Sequence, residues 1–395
     1  MKEIAIVYGG NLSQVNGVVS VIKQTVYGME KYSSDIKIKG IFTSKGVISI
    51  ETCLNSEKSY IGKEGKNSTL RCIIGKVIRK STILSYIRYK QLFIYPAQKA
   101  ARLAIENTSA DVLLVVEDIF SAYYLCKYGE ARRILFVSHQ DEVLHSQLFL
   151  SLPKLKFKPI KKKLHDLGET VYCNVRQIIC VSNKTANLIE NKYKNVCCVH
   201  NGFEFKNQQQ KKERVKGKLS VVSIGNVGYR KGFDRIVELA KECKDKNKSI
   251  GFVCVGKGPE ERDFEKTALS FDPNREYIRF VGFQSDVRPF LENADLFILL
   301  SRNEALPVSI IEAMSYGLPI IATDVGGVGE LLGDNNPLLI HDYSKETVYQ
   351  LIIDIYENNI NYEAIGNENK RRYKKEFSTK GMANNYEKII TSLKV

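Results

Sequence analysis

The stretch that most constrains the fold is residues 295–333, DLFILLSRNEALPVSIIEAMSYGLPIIATDVGGVGELLG. Its unbroken apolar run, Leu296 to Leu300, is typical of a parallel strand that is buried on both faces. Pro307 favours the start of a helix, because an N–H at that position has no intrahelical acceptor and its absence costs no hydrogen bond. Gly317 favours the end of the same helix. A second apolar run and the Gly326-Gly327 turn follow. The order strand, loop, helix, strand, loop predicts an α/β domain.

The start of the predicted helix indicates a binding site for an anion. The first amides, on Val308 and Ser309, would lie where the helix dipole favours negative charge. Glu304 precedes this end, and Glu312 follows Val308 by four residues and so shares its face. Two carboxylates beside an anion are expected if the ligand also carries hydroxyl groups, because carboxylates accept hydrogen bonds from diols. A nucleotide sugar has both features.

Glu304, seven intervening residues, then Glu312-Ala313 and the segment GLPIIATDVGG resemble the signature of the family-4 retaining glycosyltransferases. The resemblance implies a GT-B fold, in which two Rossmann-like domains with parallel sheets face a central cleft. It also implies that Glu304 contacts the donor sugar and that Glu312 binds the ribose hydroxyls. An ordinary βαβ unit with two solvated glutamates is the alternative interpretation.

The same resemblance assigns the rest of a donor site. The helix-start amides of Val308 and Ser309 would hold the diphosphate, and backbone near the base would complete the site. The expected donor-binding residues are Gly17, Arg230, Lys231, Gly282, Phe283, Glu304, Leu306, Pro307, Val308, Ser309 and Glu312.

The loop at 225–232, GNVGYRKG, follows another predicted strand. Lys231 matches a family lysine that clamps the donor phosphates. The family's arginine position falls on Asn226, so Arg230 is the candidate for the missing charge. A solvated loop charge is the alternative for Arg230. Cations here would stabilise the leaving phosphate without a metal.

The N-terminal half opens with a predicted strand, Ile4 to Tyr8, followed by Gly9, Gly10 and Gly17 and a helix. This is a Rossmann-like start without the Gly-x-Gly-x-x-Gly fingerprint of dinucleotide-binding sites. In the resembled family, a glycine here faces the donor diphosphate and sugar, and Gly17 is the best match. A glycine needed only for the turn is the alternative.

His139 follows a predicted strand, Arg133 to Val137, at the carboxyl edge where α/β sheets bind ligands. The family has a histidine at the equivalent strand end, close to the donor sugar or the reacting centre, often followed directly by Asp. Here Gln140 intervenes before Asp141. His139 is therefore a candidate catalytic residue with Glu304 and Lys231, and a structural histidine is the alternative.

The predicted domains are residues 1–203 on the acceptor side, residues 204–381 for the nucleotide sugar, and a C-terminal helix, 382–395, that crosses back. Residues 206–218 read as a linker. Residues 44–80 are expected to be irregular, and no chemistry is assigned to them.

The net charge of +15 predicts an anionic partner. The segment Leu152 to Leu164 holds six lysines among apolar residues and no acid, which suits an anionic membrane surface. Pro153 and Pro159 argue against a clean amphipathic helix there, and a solvated basic loop is the alternative. No nucleic-acid-binding motif accompanies the charge, so nucleic acid is not an expected partner.

Nine cysteines without a Cys-x-x-Cys pair indicate a reduced compartment and no zinc site. No apolar run is long enough to span a bilayer. The expected location is cytoplasmic, with peripheral attachment to the cytoplasmic face of a membrane left open.

The expected reaction moves a sugar from a nucleotide, expected to be UDP, to a hydroxyl of a saccharide or lipid-linked saccharide in glycoconjugate or surface polysaccharide synthesis. The absence of Asp-x-Asp from the sequence predicts a metal-independent enzyme without a cofactor. No carboxylate pair of the hydrolase type is evident, so the resemblance suggests same-face displacement with retention. The alternatives are a UDP-sugar epimerase of the GT-B fold, a non-catalytic GT-B binding scaffold and, disfavoured by the missing fingerprint, an NAD-dependent enzyme.

Overall fold

The computed structural model describes residues 1–13, 17–55, 78, 81–139, 152–205, 209, 212 and 217–393. Two compact units make up the chain. The first is Met1–Val199 together with Ala383–Val395, and the second is His200–Met382. The predicted limits at residues 203 and 381 stay a prediction about domains. Most of the predicted linker, and Gln140 and Asp141, lie outside the described residues.

The first unit contains a seven-stranded sheet in the order β3-β2-β1-β4-β5-β6-β7. All neighbours pair in parallel except β3, which pairs antiparallel with β2. The strands are β1 Lys2–Tyr8, β2 Ile36–Thr43, β3 Gly46–Ile48, β4 Leu113–Val116, β5 Ile134–Ser138, β6 Gln177–Cys180 and β7 Val196–Cys198.

Seven described α-helices belong to the first unit before residue 199: α1 Gly17–Tyr32, α2 Ile50–Asn55, α3 Thr82–Tyr89, α4 Tyr95–Asn107, α5 Ile119–Lys127, α6 Lys158–Asn174 and α7 Asn183–Glu190. A π-helical turn, Lys90–Ile94, joins α3 to α4, and single 3₁₀ turns cover Ala131–Arg133 and Pro153–Lys156.

One local prediction for the first unit is wrong. Residues 44–80 were expected to be irregular, but β3 and α2 lie there. The prolines of the lysine-rich segment were expected to prevent a clean helix over Leu152 to Leu164, and this segment is not one helix, because a 3₁₀ turn and Phe157 precede α6. Pro159 does not interrupt α6 itself, since it lies in the first turn, where a missing N–H breaks no helical bond.

The second unit contains a six-stranded parallel sheet in the order β10-β9-β8-β11-β12-β13. Its strands are β8 Leu219–Ile224, β9 Ile250–Val255, β10 Ile278–Phe280, β11 Leu296–Leu299, β12 Ile320–Thr323 and β13 Leu339–Ile340. Every residue of β11 and β12 is buried, as predicted for strands covered on both faces.

The helices of the second unit are α8 Phe233–Asp245, α9 Glu261–Phe271, α10 Arg288–Glu292, α11 Val308–Ser315, α12 Val328–Leu332, α13 Lys345–Tyr356 and α14 Tyr362–Arg372. A π-helical turn, Tyr373–Phe377, ends this series. The last helix, α15, covers Thr379–Ser392, and its residues from Ala383 belong to the first unit.

The strand orders of both sheets locate a switch point. In each sheet the chain adds strands outward from the first strand in one direction, and its fourth strand then pairs with the other side of the first. The switch points therefore lie between β1 and β4 and between β8 and β11. In open α/β sheets ligands bind at such points, beyond the carboxyl ends of the strands.

Each sheet is packed within its own apolar core. In the second unit, Phe233 of α8 and Phe252 of β9 are buried with Leu296 of β11. In the first unit, Ala100 and Ala104 of α4 allow close packing of that helix. Within the described part of the chain, no helix combines the length and apolar character needed to cross a membrane.

Candidate functional site

Glu304 and Lys231 form a close ion pair at the switch point of the second sheet. Lys231 follows β8 and Glu304 follows β11, and Lys231 Nζ lies 2.5 Å from Glu304 Oε1. Ser301 Oγ donates a hydrogen bond of 2.7 Å to the same carboxylate oxygen. Glu304 is only 5% exposed. Because a buried carboxylate needs a partner charge, these contacts hold both side chains in one place.

Arg230 brings a second cation to the same carboxylate. Its Nη1 lies 3.7 Å from Glu304 Oε2 and donates to the backbone oxygen of Asn303 at 2.9 Å. The amide of Arg302 in turn donates to the backbone oxygen of Arg230 at 2.8 Å. The loops that follow β8 and β11 are therefore joined by both backbone and side chain.

Two glycines allow the loops to approach this closely. Gly232 has a φ of +75°, and a Cβ there would lie 2.0 Å from the backbone oxygen of Leu300. Gly326 has a φ of +57°, and a Cβ there would lie 1.6 Å from the backbone oxygen of Glu304. The predicted turn at Gly326 is thus confirmed. Glycine at this position allows the loop after β12 to pack closely against the backbone that carries Glu304.

Further bonds fix the backbone on either side of Glu304. Arg302 makes a two-pronged ion pair with Asp234 of α8, with a shortest N–O distance of 2.6 Å. Thr323, the last residue of β12, donates its hydroxyl hydrogen to the backbone oxygen of Ser301. Gly327 donates its amide to the backbone oxygen of Ala305 at 2.7 Å. The site is therefore built on three neighbouring strand ends, those of β8, β11 and β12.

The predicted helix after the Glu304 loop is confirmed as α11. It begins at Val308, and Pro307 is its N-cap rather than its first residue, with φ −72° and ψ 114°. No side chain of the N-cap satisfies the first amides. Those of Val308 and Ser309 belong to the first turn, where helix geometry leaves N–H groups without an intrahelical acceptor. The helix start therefore has the character predicted for an anion site.

The residues on either side of this start are buried. Leu306 is 4% exposed, and its backbone oxygen accepts a bond of 3.3 Å from Asn201 Nδ2. Glu312, one turn into α11, is 7% exposed. The side chains on both sides of the helix start are therefore largely shielded from solvent.

The loops after β9 and β10 are joined in the same unit. Gly282 has a φ of +68°, and its backbone oxygen accepts from the amide of Gly256 at 2.9 Å. Phe283 follows it directly. Glu261, which sequence reasoning missed, reaches towards Gly282. Burial raises the pKa of Glu261, and the charge of Lys257 opposes that rise.

The switch point of the first sheet is built differently. The amide of Gly9, after β1, donates to Asp118 Oδ2 at 2.7 Å. The other oxygen of Asp118 caps α5 by accepting from the amide of Ser121 at 2.9 Å. Burial raises the pKa of Asp118, against these bonds. Gly17 is the first residue of α1, and a Cβ there would meet no atom within 4 Å. Sterics within the described chain therefore do not require glycine at 17.

His139 pairs with a carboxylate that the sequence did not reveal. His139 Nε2 lies 2.7 Å from Glu117 Oε2, with side-chain exposures of 10% and 0%. Glu117 follows β4 and His139 follows β5, so adjacent parallel strands bring them together. Among described residues, Glu117 Oε1 is buried without a hydrogen-bond partner. The available signal was that Glu117, like His139, directly follows a buried strand.

These contacts join Glu304, Lys231 and Arg230 in one cluster, with the start of α11 following in the chain. The Gly282-Phe283 loop belongs to the same unit. Gly17 and His139 belong to the first unit.

Comparison with known proteins agrees with this geometry. Residues 204–372 match the sequence model of the family described as "Glycosyl transferases group 1". This match covers most of the second unit. The residues of this domain that match include the ion pair, α11 and the glycine turn. The predicted resemblance to glycosyltransferases is therefore confirmed for this domain, and membership of family 4 stays a prediction.

Two relatives cover different amounts of the chain. The 2-deoxystreptamine N-acetyl-D-glucosaminyltransferase of Niallia circulans is 32% identical over 133 residues, which are 33% of this chain and 34% of that protein. An uncharacterized glycosyltransferase of Methanocaldococcus jannaschii is 27% identical over 270 residues, 64% of this chain and 67% of that protein. The first match thus spans about a third of its relative's length.

The fold itself has solved counterparts. The structure of HepE from Anabaena in complex with UDP and glucose matches with a TM-score of 0.63 at 15% identity and covers 100% of both chains. The chain therefore has the predicted GT-B fold, with two α/β units built on parallel sheets.

Proposed function

We propose that this protein is a retaining, metal-independent glycosyltransferase that moves a sugar from a UDP-linked donor to an acceptor hydroxyl. The observation that carries the proposal is the Lys231–Glu304 ion pair at the switch point of the second sheet. Lys231 and Arg230 supply positive charge, and Glu304 supplies hydrogen-bond acceptors, at a place where α/β sheets bind ligands.

The leaving nucleotide needs positive charge in the transition state. As the bond from the sugar to the diphosphate breaks, negative charge develops on the phosphate oxygens. Lys231, Arg230 and the first amides of α11 are the donors that we assign to that charge. Fixed donors are effective because they need no reorganisation during the reaction. The sequence has no Asp-x-Asp, so the chain itself offers cations in the place of a metal.

The two glutamates have separate tasks in this proposal. Glu304, held by Lys231 and Ser301, accepts hydrogen bonds from hydroxyls of the donor sugar. Glu312, buried one turn into α11, accepts from the ribose hydroxyls. Carboxylates suit vicinal hydroxyls because two oxygens can accept two bonds. The backbone at Gly282-Phe283 lies against the base.

The donor and acceptor are proposed from other observations. UDP is proposed as the nucleotide because HepE, with the same fold, was solved with UDP and glucose. A saccharide or a lipid-linked saccharide is proposed as the acceptor, and the first unit as the part that binds it. We also propose a cytoplasmic location with contact to a membrane through Lys154 to Lys163. Retention at the anomeric carbon follows from the resemblance to the family-4 enzymes.

A thermal-shift screen with UDP, GDP, ADP and their common sugars tests the donor site. A nucleotide at a hundred times its Kd stabilises the protein by about 2.7 kcal/mol, a visible shift. We expect UDP to stabilise the wild type and to have little effect on the Glu312→Ala variant. Stabilisation of the variant equal to that of the wild type would contradict the proposed ribose contact.

The matched control is Lys248→Met, which removes a surface ion pair in the same unit, 2.8 Å long, with Glu357. It should respond to UDP like the wild type. Consumption of UDP-sugar only when an acceptor is present separates transfer from epimerisation. The anomeric configuration of the product, read by NMR, tests retention.

A further inference from the structure

Helix α3 has apolar side chains on its outer face. Ile83, Leu84 and Ile87 are 73%, 39% and 46% exposed. Their spacing of one, three and four residues places them on one face of the helix. The opposite face is also apolar where Tyr89 is buried. A helix that packs on one side and is still apolar on the other is unusual for a surface in contact with water.

The inner face of α3 fixes the helix against the lysine-rich segment. Tyr89 belongs to one apolar cluster with Leu152, Leu155 and Leu164, and Ile160 packs against that cluster. The 3₁₀ turn Pro153–Lys156 and the start of α6 therefore lie beside α3. Between them, Phe157 is 58% exposed.

Positive charge is concentrated in the two chain segments that carry these apolar side chains. Residues 81–102 contain Arg88, Lys90, Lys99 and Arg102 and no acid. Residues 152–165 contain six lysines and no acid, and all six lysines are exposed. Long lysine chains can lie along an apolar surface and keep their charge at its polar edge.

We propose that one face of the first unit docks on an anionic phospholipid bilayer. This docking face consists of Ile83, Leu84, Ile87, Phe157 and the six lysines of residues 154–163. The apolar side chains enter the boundary between headgroups and acyl chains, and the lysines bind lipid phosphates. The inference rests on the proposed membrane location and adds the apolar helix and the lipid class. It does not depend on the sugar-transfer chemistry.

Charge complementarity selects a bilayer over a protein partner. The six exposed lysines of the docking face, in a segment without an acid, match a continuous anionic surface. An acidic protein is the other occupant, and it would leave protein-free vesicles unbound.

Flotation of the full chain with protein-free vesicles tests the proposal. We expect the chain to float with vesicles that contain phosphatidylglycerol and to remain unbound with pure phosphatidylcholine. Lys161→Gln/Lys162→Gln/Lys163→Gln should lower the partition coefficient about a hundredfold, at about fivefold for each lysine. Lys241→Gln/Lys266→Gln/Lys374→Gln removes the same charge from exposed sites in the second unit and should change it little.

The apolar contribution has its own reporter, because the chain contains no tryptophan. Ile83→Trp should show a blue-shifted emission on phosphatidylglycerol vesicles and quenching by brominated lipid. Leu188→Trp is the control, at a side chain that is 57% exposed on α7. Ile83→Gln/Leu84→Gln/Ile87→Gln should lower binding by about tenfold or more.

Equal flotation on both vesicle types, or no flotation, would overturn the proposal, and so would emission from Ile83→Trp that vesicles leave unchanged. A UDP-induced thermal shift, measured on the same variants, keeps the two questions apart. Vesicle binding can fail while the UDP shift persists, and the donor proposal then stands alone.

Discussion

The two switch points share one topology and carry opposite electrostatics. In the second unit, Lys231 and Arg230 bring cations to the ends of the strands, around a single carboxylate. In the first unit, Asp118 and Glu117 bring two carboxylates to the equivalent strand ends, with His139 beside them. The sheet order therefore sets where a site lies, and the loops decide what it binds.

This difference fits two kinds of ligand. Cations beside a helix start suit a diphosphate. Carboxylates and an imidazole suit hydroxyl groups, because they accept and exchange protons. We therefore interpret the second unit as the nucleotide-binding unit and the first as the unit that binds hydroxyls. Four experiments test this comparison, from the largest expected effect to the smallest.

The largest effect is expected for Lys231→Met. Removal of a fixed donor at a developing negative charge lowers kcat by about a hundredfold to a thousandfold. The measurement is the rate of UDP release from UDP-sugar. Lys248→Met, the surface control, should stay within a small factor of the wild type. Turnover by Lys231→Met close to that of the wild type would remove the assigned function from the ion pair.

Glu117→Gln should lower turnover by about a hundredfold, because Glu117 holds His139 in one orientation and misplacement of a reacting group has costs of that size. The double variant with His139→Ala should lose little more than either single variant, since the two act as one unit. The UDP-induced thermal shift should be unchanged. A smaller UDP-induced thermal shift in Glu117→Gln would contradict the assignment of UDP binding to the second unit alone.

Gly326→Ala should destabilise the second unit, because its Cβ would collide with the backbone oxygen of Glu304. Gly217→Ala is the matched control, with a φ of +77° and no atom within 4 Å of the added Cβ. In the control, the free energy of unfolding should fall only by the cost of holding alanine at a positive φ, about 1 kcal/mol. We expect Gly326→Ala to lose more than about 2 kcal/mol in thermal unfolding. Equal losses of stability in the two variants would contradict this expectation, because they would show that the loop after β12 can shift away from Glu304 without further cost.

Arg230→Ala should weaken UDP binding by about tenfold, the scale of one hydrogen bond to a charged group. The effect is the smallest because the Arg230 side chain is 33% exposed. Asn226→Arg, added to that variant, restores the charge at the position where the resembled family carries it and should recover part of the loss. Isothermal titration of UDP measures both changes. No loss in Arg230→Ala would leave Arg230 as an ordinary surface charge.

Much of the second unit could be predicted from the sequence. Strand β11 is a continuous apolar run, and residues 295–333 combine two strands, a proline at a helix start and a glycine turn that each have a local physical meaning. The approach of Lys231 to Glu304 could not be derived from spacing, because 73 residues separate them in the sequence. Only the strand order, with β8 next to β11, makes them neighbours.

The first unit was harder to predict. Helix α5 is apolar around most of its surface, so its sequence shows little periodicity, and it was not predicted. Helix α6 was obscured by a proline that the first turn tolerates. Glu117 has no motif, and its pairing with His139 depends on the parallel neighbours β4 and β5. Local sequence patterns thus predicted individual helices and strands. The residues of the site are brought together only by the pairing of strands in the folded chain.

A structure of the chain with bound UDP tests the central claim most directly. The account predicts phosphate oxygens within hydrogen-bond distance of Lys231 Nζ and of the first amides of α11, with the ribose hydroxyls on Glu312. UDP bound elsewhere, with Lys231 and Glu304 paired only to each other, would contradict it.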